Sequence, residues 1–456
     1  MQPATLEIFA TAGVLEAFLA SSVHLDCARM FDPNLEVVGE MRFAGTGCPW
    51  EFQCSLPQWR TEEILAERLA ELGGRIERGV AATSLEPADD GVLVSLERGD
   101  GTTEMVAAEW VIGAGGAHSI TRASMAESLV GETYRGTCLV GDMRLHCELP
   151  RDGSVLIATE KGYVGGAPLP GDRWLTFIGD LEEEEVDRVA KDTSTSAVAD
   201  LIRRRVAGAI RVDDVAWASP FRMHRRMVPK LAKGRRFLLG DAGHLSSPFG
   251  GEGLNSGLQD AHNLAWKLAL TIRGRARREL LESFASERLS ADRHVLEVSD
   301  RLHALVHEAV ESARTGVTHP PPAPSETAAI ARSRAMLDVS YEGSPIVGEY
   351  VGPEVGVPPA PGPGDRYPDR AALGGTRHHF LLFDGTDEAA LAHLEQRWHD
   401  LLDVERATGD PRRAGLDTDG AVLVRPDGHI GFRAAPANTA GLAAVDSHLA
   451  SYLIPR

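Results

Sequence analysis

Residues 234–270, GRRFLLGDAGHLSSPFGGEGLNSGLQDAHNLAWKLAL, constrain this chain more than any other stretch. An apolar run through Phe237, Leu238 and Leu239 delivers Asp241 at its C-terminal end. A proline–glycine loop follows, with Pro248, Gly250, Gly251 and Gly253. From Leu254 the apolar positions are 254, 258, 261, 265, 268 and 272, and steps of three and four put them on one helical face. Strand, loop and helix in that order make a unit of an α/β fold. A carboxylate at a strand end can bind sugar hydroxyls. Glycines let backbone approach a flat ring closely. The helix start offers unpaired N–H groups and partial positive charge to an electron-rich partner. Taken alone, Asp241 reads equally well as a turn cap, and His244 beside it as a structural histidine.

The chain has 456 residues, enough for two or three domains. Leu6, Ile8 and Phe9 before Gly13, and Leu15, Phe18 and Leu19 after it, predict two short helices with a glycine break. A helix is predicted over 61–72, with Thr61 at its start. Asp90-Gly91 and Asp100-Gly101 signal hairpins. Residues 131–220 carry strand-like pieces and a helix over 197–208, which follows the acidic run Glu182–Glu185. That run reads as a solvated loop or helix end. A second long helix is expected over 280–310, and the basic clusters 203–205 and 275–278 read as solvated helix faces. Arg225 and Arg226 suit either a cofactor phosphate or neighbouring acids. Proline-rich residues 313–365, including HPPPAPS at 319–325, read as linker and wrapping segments. A small α/β unit with a Pro426-Asp427-Gly428 hairpin turn follows.

A formal net charge of −19 argues against broad nucleic-acid or anionic-membrane binding. The five cysteines are odd in number, form no Cys-x-x-Cys pair and all precede residue 148, which argues against a disulfide framework and for a reducing, cytoplasmic setting. No run approaches the ~18 apolar residues of a membrane span.

The 234–270 segment resembles the second flavin-binding motif of the single-component FAD-dependent aromatic hydroxylases, the para-hydroxybenzoate hydroxylase-like flavoproteins. The resemblance implies that Asp241 holds the ribityl chain of FAD. It implies that Gly253, Leu254 and Asn255 cradle the ring edge through backbone, that Gly250 and Gly251 belong to the cofactor-binding loop, and that Pro248 lies near ring and substrate. Pro248, Leu254 and Asn255 would thus shape the flavin and oxygen environment, with no acid–base triad and no metal. SLPQWRTEEILAERLAELG resembles the family segment whose glutamine contacts the cofactor, here Gln58. The segment from Val215 to His244 and the tail around VLVRPDGHIGFRA are similar to the aromatic polyketide hydroxylase subgroup, whose C-terminal domain is thioredoxin-like; this tail has no cysteine for thiol redox.

VIGAGGAHS, residues 111–119, is not the first dinucleotide loop, because the sixth position from Gly113 is His118. It resembles the family's middle motif, Gly-Ala-Asp-Gly-x-x-Ser with a later Arg, except that Gly115 stands where the family has Asp. Because that motif lies near FAD and helps with NAD(P)H in the family, the resemblance makes Gly115 a cofactor-binding position and puts nicotinamide handling in question. The strand–glycine loop–helix unit that should come first is not in the sequence, and MQPATLEIF resembles the point just after it.

The implied fold is α/β: an N-terminally truncated, Rossmann-like FAD-binding domain over 1–130 and 231–312, a β-rich substrate domain over 131–230, a linker over 313–365 and a thioredoxin-like domain over 366–456. The implied activity is hydroxylation of an aromatic, polyketide-like small molecule with FAD, NAD(P)H and O2. A homodimer is left open. Two alternatives stay open on sequence: a hydroxylase of a simple phenol or aromatic drug, and an inactive homologue that binds a ligand or partner.

Overall fold

A computed structural model of the chain describes every residue except 207, 209, 318–321, 354, 371, 372, 374, 384 and 385, and the side chain of Arg135. The described helices are α1 (Pro3–Ala12), α2 (Leu15–Ser21), α3 (Gln58–Glu71), α4 (Ile120–Ser124), α5 (Glu183–Val189), α6 (Thr195–Arg205), α7 (Glu252–Ile272), α8 (Arg278–Thr315), α9 (Pro324–Arg334), α10 (Glu388–Trp398) and α11 (Thr439–Tyr452). Gly13, at φ +75°, ends α1 as the glycine break predicts. Helix α3 begins three residues earlier than expected. Pro57 supplies the extended entry and its carbonyl accepts the Arg60 and Thr61 N–H groups, so Thr61 is buried inside the first turn.

The largest sheet has eight strands in the order 244–245, 211–227, 130–146, 173–179, 162–168, 153–159, 27–31 and 37–42. It draws two strands from before residue 43, joined in parallel through Cys27–Phe31 and Gly153–Thr159. One face packs on α5 and α6 through Ile157, Trp174, Val198 and Leu201. The other lies against α8, where Tyr163 and Met223 meet Val306 and Val310. Glu182–Glu185 form the capped start of α5, but Glu185 also holds Arg205 at 2.7 Å with both side chains buried. Arg205 therefore leaves the solvated face assigned to 203–205, because a carboxylate one helix away neutralises it inside the protein. Arg275 likewise pairs with Asp400 of the C-terminal unit.

Two smaller sheets complete the first half. Residues 80–108 form a three-stranded meander. The second turn contains Asp100-Gly101 as expected, whereas the first is Asp89-Asp90, one residue before the Asp90-Gly91 signal, because Gly91 pairs with Ala88 as the first residue of the next strand. Strands 111–113 and 236–238 pair in parallel, with 232–233 outside them.

Only part of 313–365 behaves as a linker. Met336, Leu337, Tyr341 and Ile346 are buried, and Gly348–Val351 pairs in parallel with Ile430–Ala435. His319 to Pro321 of the proline run lie outside the described residues. The C-terminal sheet has the order 348–351, 430–435, 420–424, 378–383 and 402–406, with α10 and α11 packed on it. Its core is continuous with Trp266 and Leu270 of α7 and Leu280 of α8.

The hairpin tip predicted at 426–428 is buried in that junction. Arg425 donates to Glu287 at 2.7 and 2.9 Å and to Asp427 at 2.5 Å, while Lys267 donates to Glu287 at 2.5 Å. Burial opposes the charge on Glu287, yet Arg425 and Lys267 hold its pKa at about 2; burial lowers that of Lys267 to about 8. Two cations meet two carboxylates, so the junction buries charge without leaving any of the four uncompensated.

Candidate active site

Strand 236–238 ends in the turn that carries Asp241, and Gly240 (φ +55°) donates its N–H to Asp260 of α7 at 2.8 Å. A Cβ on Gly257 would stand 3.2 Å from the Gly240 Cα, so glycine on glycine seats the turn on α7. The Asp241 carboxylate is exposed and has no hydrogen-bond partner among the described residues. Crowding by protein on one side lifts its pKa above the ordinary carboxylate range, against the pull of His244.

The middle motif packs against this turn. Ser119 accepts the Arg122 N–H and caps α4. The Arg122 guanidinium donates to the carbonyls of Gly116 and Ala117 and, at 3.0 Å, to that of Ala242. Gly115 has an ordinary φ of −81°, and a Cβ there would meet nothing closer than 3.6 Å. Space for a side chain exists, so neither sterics nor backbone strain requires glycine where the family motif has Asp.

The loop into α7 closes through the Gly251 N–H on the Pro248 carbonyl, at 3.0 Å. Gly250 and Gly251 take φ of +93° and +68°, a region that favours glycine. A Cβ on Gly251 would meet nothing within 4 Å, so this backbone borders open space. The N–H groups of Glu252, Gly253 and Leu254 have no acceptor among the described residues, and the Leu254 side chain is 52% exposed.

Asn255 and Gln58 stand differently from the expected sites. The Asn255 side chain is buried; its Oδ1 accepts from Gln2 N–H and Thr5 Oγ1, and its Nδ2 donates to the Gly251 carbonyl. It ties α1 to the loop, which leaves only its backbone for the site. Gln58 lies exposed at the start of α3 with its amide on Glu62 at 3.0 Å.

Three further features carry no sequence signal beyond residue type. His244 Nε2 lies 2.9 Å from Asp260 and 3.6 Å from Asp292, in full burial. Arg288 donates to Asp260 Oδ1 and Asp292 Oδ1, at 2.6 and 2.9 Å, so the cluster is an ion network, with Asp292 Oδ2 lacking a hydrogen-bond partner among the described residues. Glu252, at the first position of α7, is 1% exposed and both carboxylate oxygens lack a hydrogen-bond partner among the described residues. Burial pushes its pKa up to about 8, against the pull of Arg334. The last feature is an aromatic cluster beside the loop. Phe249 lies 5.3 Å from Tyr163 and 5.2 Å from His303, and Tyr134 stacks on His303 at 4.2 Å with its hydroxyl buried and unpartnered. Arg225 is engaged with Asp300, and Arg226 with Thr133.

This donor set fits a flavin dinucleotide: a free carboxylate for hydroxyls, free helix-start N–H groups for an electron-rich ring edge, and glycine backbone facing open space. Residues 1–299 match the FAD binding domain family and residues 360–451 match the aromatic-ring hydroxylase C-terminal family. The chain belongs to the FAD-binding aromatic-ring hydroxylases.

Relatives of this hydroxylase agree over most of its length. The 6-methylpretetramide 4-monooxygenase of Streptomyces rimosus is 32% identical over 490 residues, covering 97% of this chain and 85% of the relative. The solved anhydrotetracycline hydroxylase of Streptomyces rimosus shares 28% identity at a TM-score of 0.74, covering 100% of this hydroxylase and 91% of that chain. An aklavinone-11 hydroxylase in complex with FAD and aklavinone shares the fold, with a TM-score of 0.80 at 21% identity over 98% and 90% of the two chains. The hydroxylase is thus an FAD-dependent monooxygenase of the α/β type its sequence implies, with NAD(P)H as the usual reductant of such enzymes. Among the described residues, no helix is long and apolar enough to cross a membrane.

Proposed function

We propose that this hydroxylase oxygenates a polycyclic, polyketide-like aromatic compound, with O2 as co-substrate. The carrying observation is Phe249. It belongs to the glycine loop that leads into α7 and also packs into the aromatic cluster between the large sheet and α8. A planar substrate held there would lie beside the cofactor. The tetracycline-type substrates named for the relatives support the same class.

Asp241 would hold the hydroxylated chain of FAD, the Gly253 and Leu254 N–H groups its ring edge, and Gly250 and Gly251 the close approach. Bound flavin supplies the redox chemistry and oxygen activation; the protein supplies position, dryness and electrostatics. Pro248 shapes the loop by accepting the Gly251 N–H. The large sheet and α8 exclude water from the aromatic face. The division into an FAD-binding part over 1–130 and 231–312, a substrate part over 131–230, a connecting part over 313–365 and a C-terminal unit over 366–456 belongs to the same reading. So does a reducing cytosol, which suits five cysteines that are all free.

The test is direct. The purified chain is loaded with FAD, its flavin absorbance is recorded, and NAD(P)H oxidation is followed with anhydrotetracycline and with phenol. Bound flavin with oxidation stimulated by the polycyclic compound supports the proposal. Stimulation by phenol alone would move the substrate class to simple phenols, and stimulation by neither would reject it.

A further inference from the structure

We propose that His303 selects substrates that carry an uncharged ring hydroxyl, its Nε2 hydrogen-bonding that oxygen; this rests on the aromatic hydroxylase reading above. Packing fixes the ring on several sides. Tyr134 stacks on one face at 4.2 Å and 20°, Phe249 meets it nearly edge-on at 5.2 Å and 80°, and His307, one turn along α8, lies at 4.5 Å. Nδ1 lies 3.5 Å from the Ser247 hydroxyl. Ser247 is held in turn, since its carbonyl accepts from Ser299 at 3.0 Å and its hydroxyl takes the Phe249 N–H at 3.4 Å. Nε2 has no hydrogen-bond partner among the described residues, although His303 is only 8% exposed.

Burial, with His307 beside it, pushes the His303 pKa down to about 4. The ring is therefore neutral near pH 7, with one donor and one acceptor nitrogen. An acceptor or donor set in an aromatic wall rewards a matching hydroxyl and penalises the analogue that lacks it, because the nitrogen is then left unpaired. The same surroundings disfavour an aromatic carboxylate. The cluster around His303 is built from Cys138, Tyr163, Phe221, Met223 and Phe249, and the nearby Arg225 is committed to Asp300. A neutral hydroxyarene fits this largely apolar wall.

Equilibrium dialysis of the FAD-loaded chain with 2-naphthol, naphthalene and 2-naphthoate tests this without any turnover. The expected result is at least tenfold tighter binding of 2-naphthol than of naphthalene, with 2-naphthoate no tighter than naphthalene. His303→Leu should reduce the hydroxyl preference to twofold or less while naphthalene binding persists. His303→Gln, whose amide reaches the Nε2 position, should keep most of the preference, and His303→Asn, which reaches only Nδ1, should lose it. Should the leucine variant fail to fold, the glutamine–asparagine pair decides. An unchanged preference in His303→Leu, equal behaviour of the Gln and Asn variants, no preference in the parent, or loss of preference in Tyr134→Phe with retention in His303→Leu would each overturn the assignment. Aromatic-stimulated NAD(P)H oxidation is measured separately on the parent. Its absence rejects the hydroxylase reading, whereas a lost hydroxyl preference with oxidation intact rejects His303 alone.

Discussion

His244 and Asp260 share a fully buried ion pair at 2.9 Å, and the same Asp260 oxygen accepts the Gly240 N–H at 2.8 Å. One carboxylate thus binds both ends of the turn that presents Asp241. Burial alone would lower the His244 pKa, but Asp292 and Asp260 raise it to about 9. Its folded value lies above the ordinary 6.5, so its contribution to stability is full below about pH 6.5 and is lost as pH rises through 9. His244→Gln should cost about 3 kcal/mol or more at pH 6, since it leaves two carboxylates facing one guanidinium. Urea unfolding at pH 6 and pH 9 checks it: the gap between parent and variant should narrow at the higher pH.

Glu252 has the opposite consequence for its own replacement. Its folded pKa of about 8 lies above the ordinary 4.5, so the protonated acid is the form the fold accepts. Stability from this group is full below about pH 4.5 and declines as pH rises through 8. Glu252→Gln keeps the shape and cannot ionise. It should nearly match the parent near pH 5 and exceed it by about 4 kcal/mol at pH 9 in thermal melts.

Asp241 makes no side-chain hydrogen bond among the described residues, so its removal should leave the fold intact. Asp241→Ala should weaken FAD binding by roughly 10- to 100-fold, the worth of a charged hydrogen bond to a hydroxyl. A titration followed by quenching of flavin fluorescence measures the loss, and circular dichroism should be unchanged.

Glu287 joins α8 to the C-terminal hairpin through Arg425 and to α7 through Lys267. Glu287→Gln leaves two buried cations with one remaining carboxylate, Asp427. A loss of about 3–5 kcal/mol is expected, read as a lower urea midpoint of the whole chain, because the hydrophobic core across this junction is continuous.

Much of this structure was written in local patterns. The helix α7 follows from spacing, but the face that spacing marks is largely exposed, with Leu254 and Ile272 outside and Asn255, Gln259, Asp260, Asn263 and Lys267 buried against neighbouring elements. The Asp100-Gly101 turn follows from two residues, and the first hairpin turns one residue earlier than Asp90-Gly91 predicts. The glycines at 250 and 251 announced a backbone that few other residues adopt. The cofactor motif was legible because its parts adjoin in sequence: strand end, carboxylate, loop and helix start.

Other assignments failed where the partner lay far along the chain. Arg205 looked solvated until α5 brought Glu185 to it. Asn255 is expected to serve the site through its backbone, and no local pattern showed that its side chain is taken up by Gln2 and Thr5, some 250 residues away. Asp427 was legible as a turn residue, but not as a buried counter-ion that accepts from Asn263 and Arg425. His303 gave no sign at all, since an aromatic wall assembled from a strand, a loop and a helix has no period to read.

The sequence by itself determined most helices and the order of elements, because backbone propensity, turn chemistry and helical periodicity act over a few residues, and its resemblance to the FAD-dependent aromatic hydroxylases implied the fold class. Only the tertiary structure decided which charges are buried and paired, which carboxylates remain free and which side chains gather in the aromatic cluster beside the glycine loop. Those outcomes depend on desolvation and on contacts between distant segments, and no local pattern encodes which segment will arrive to make them.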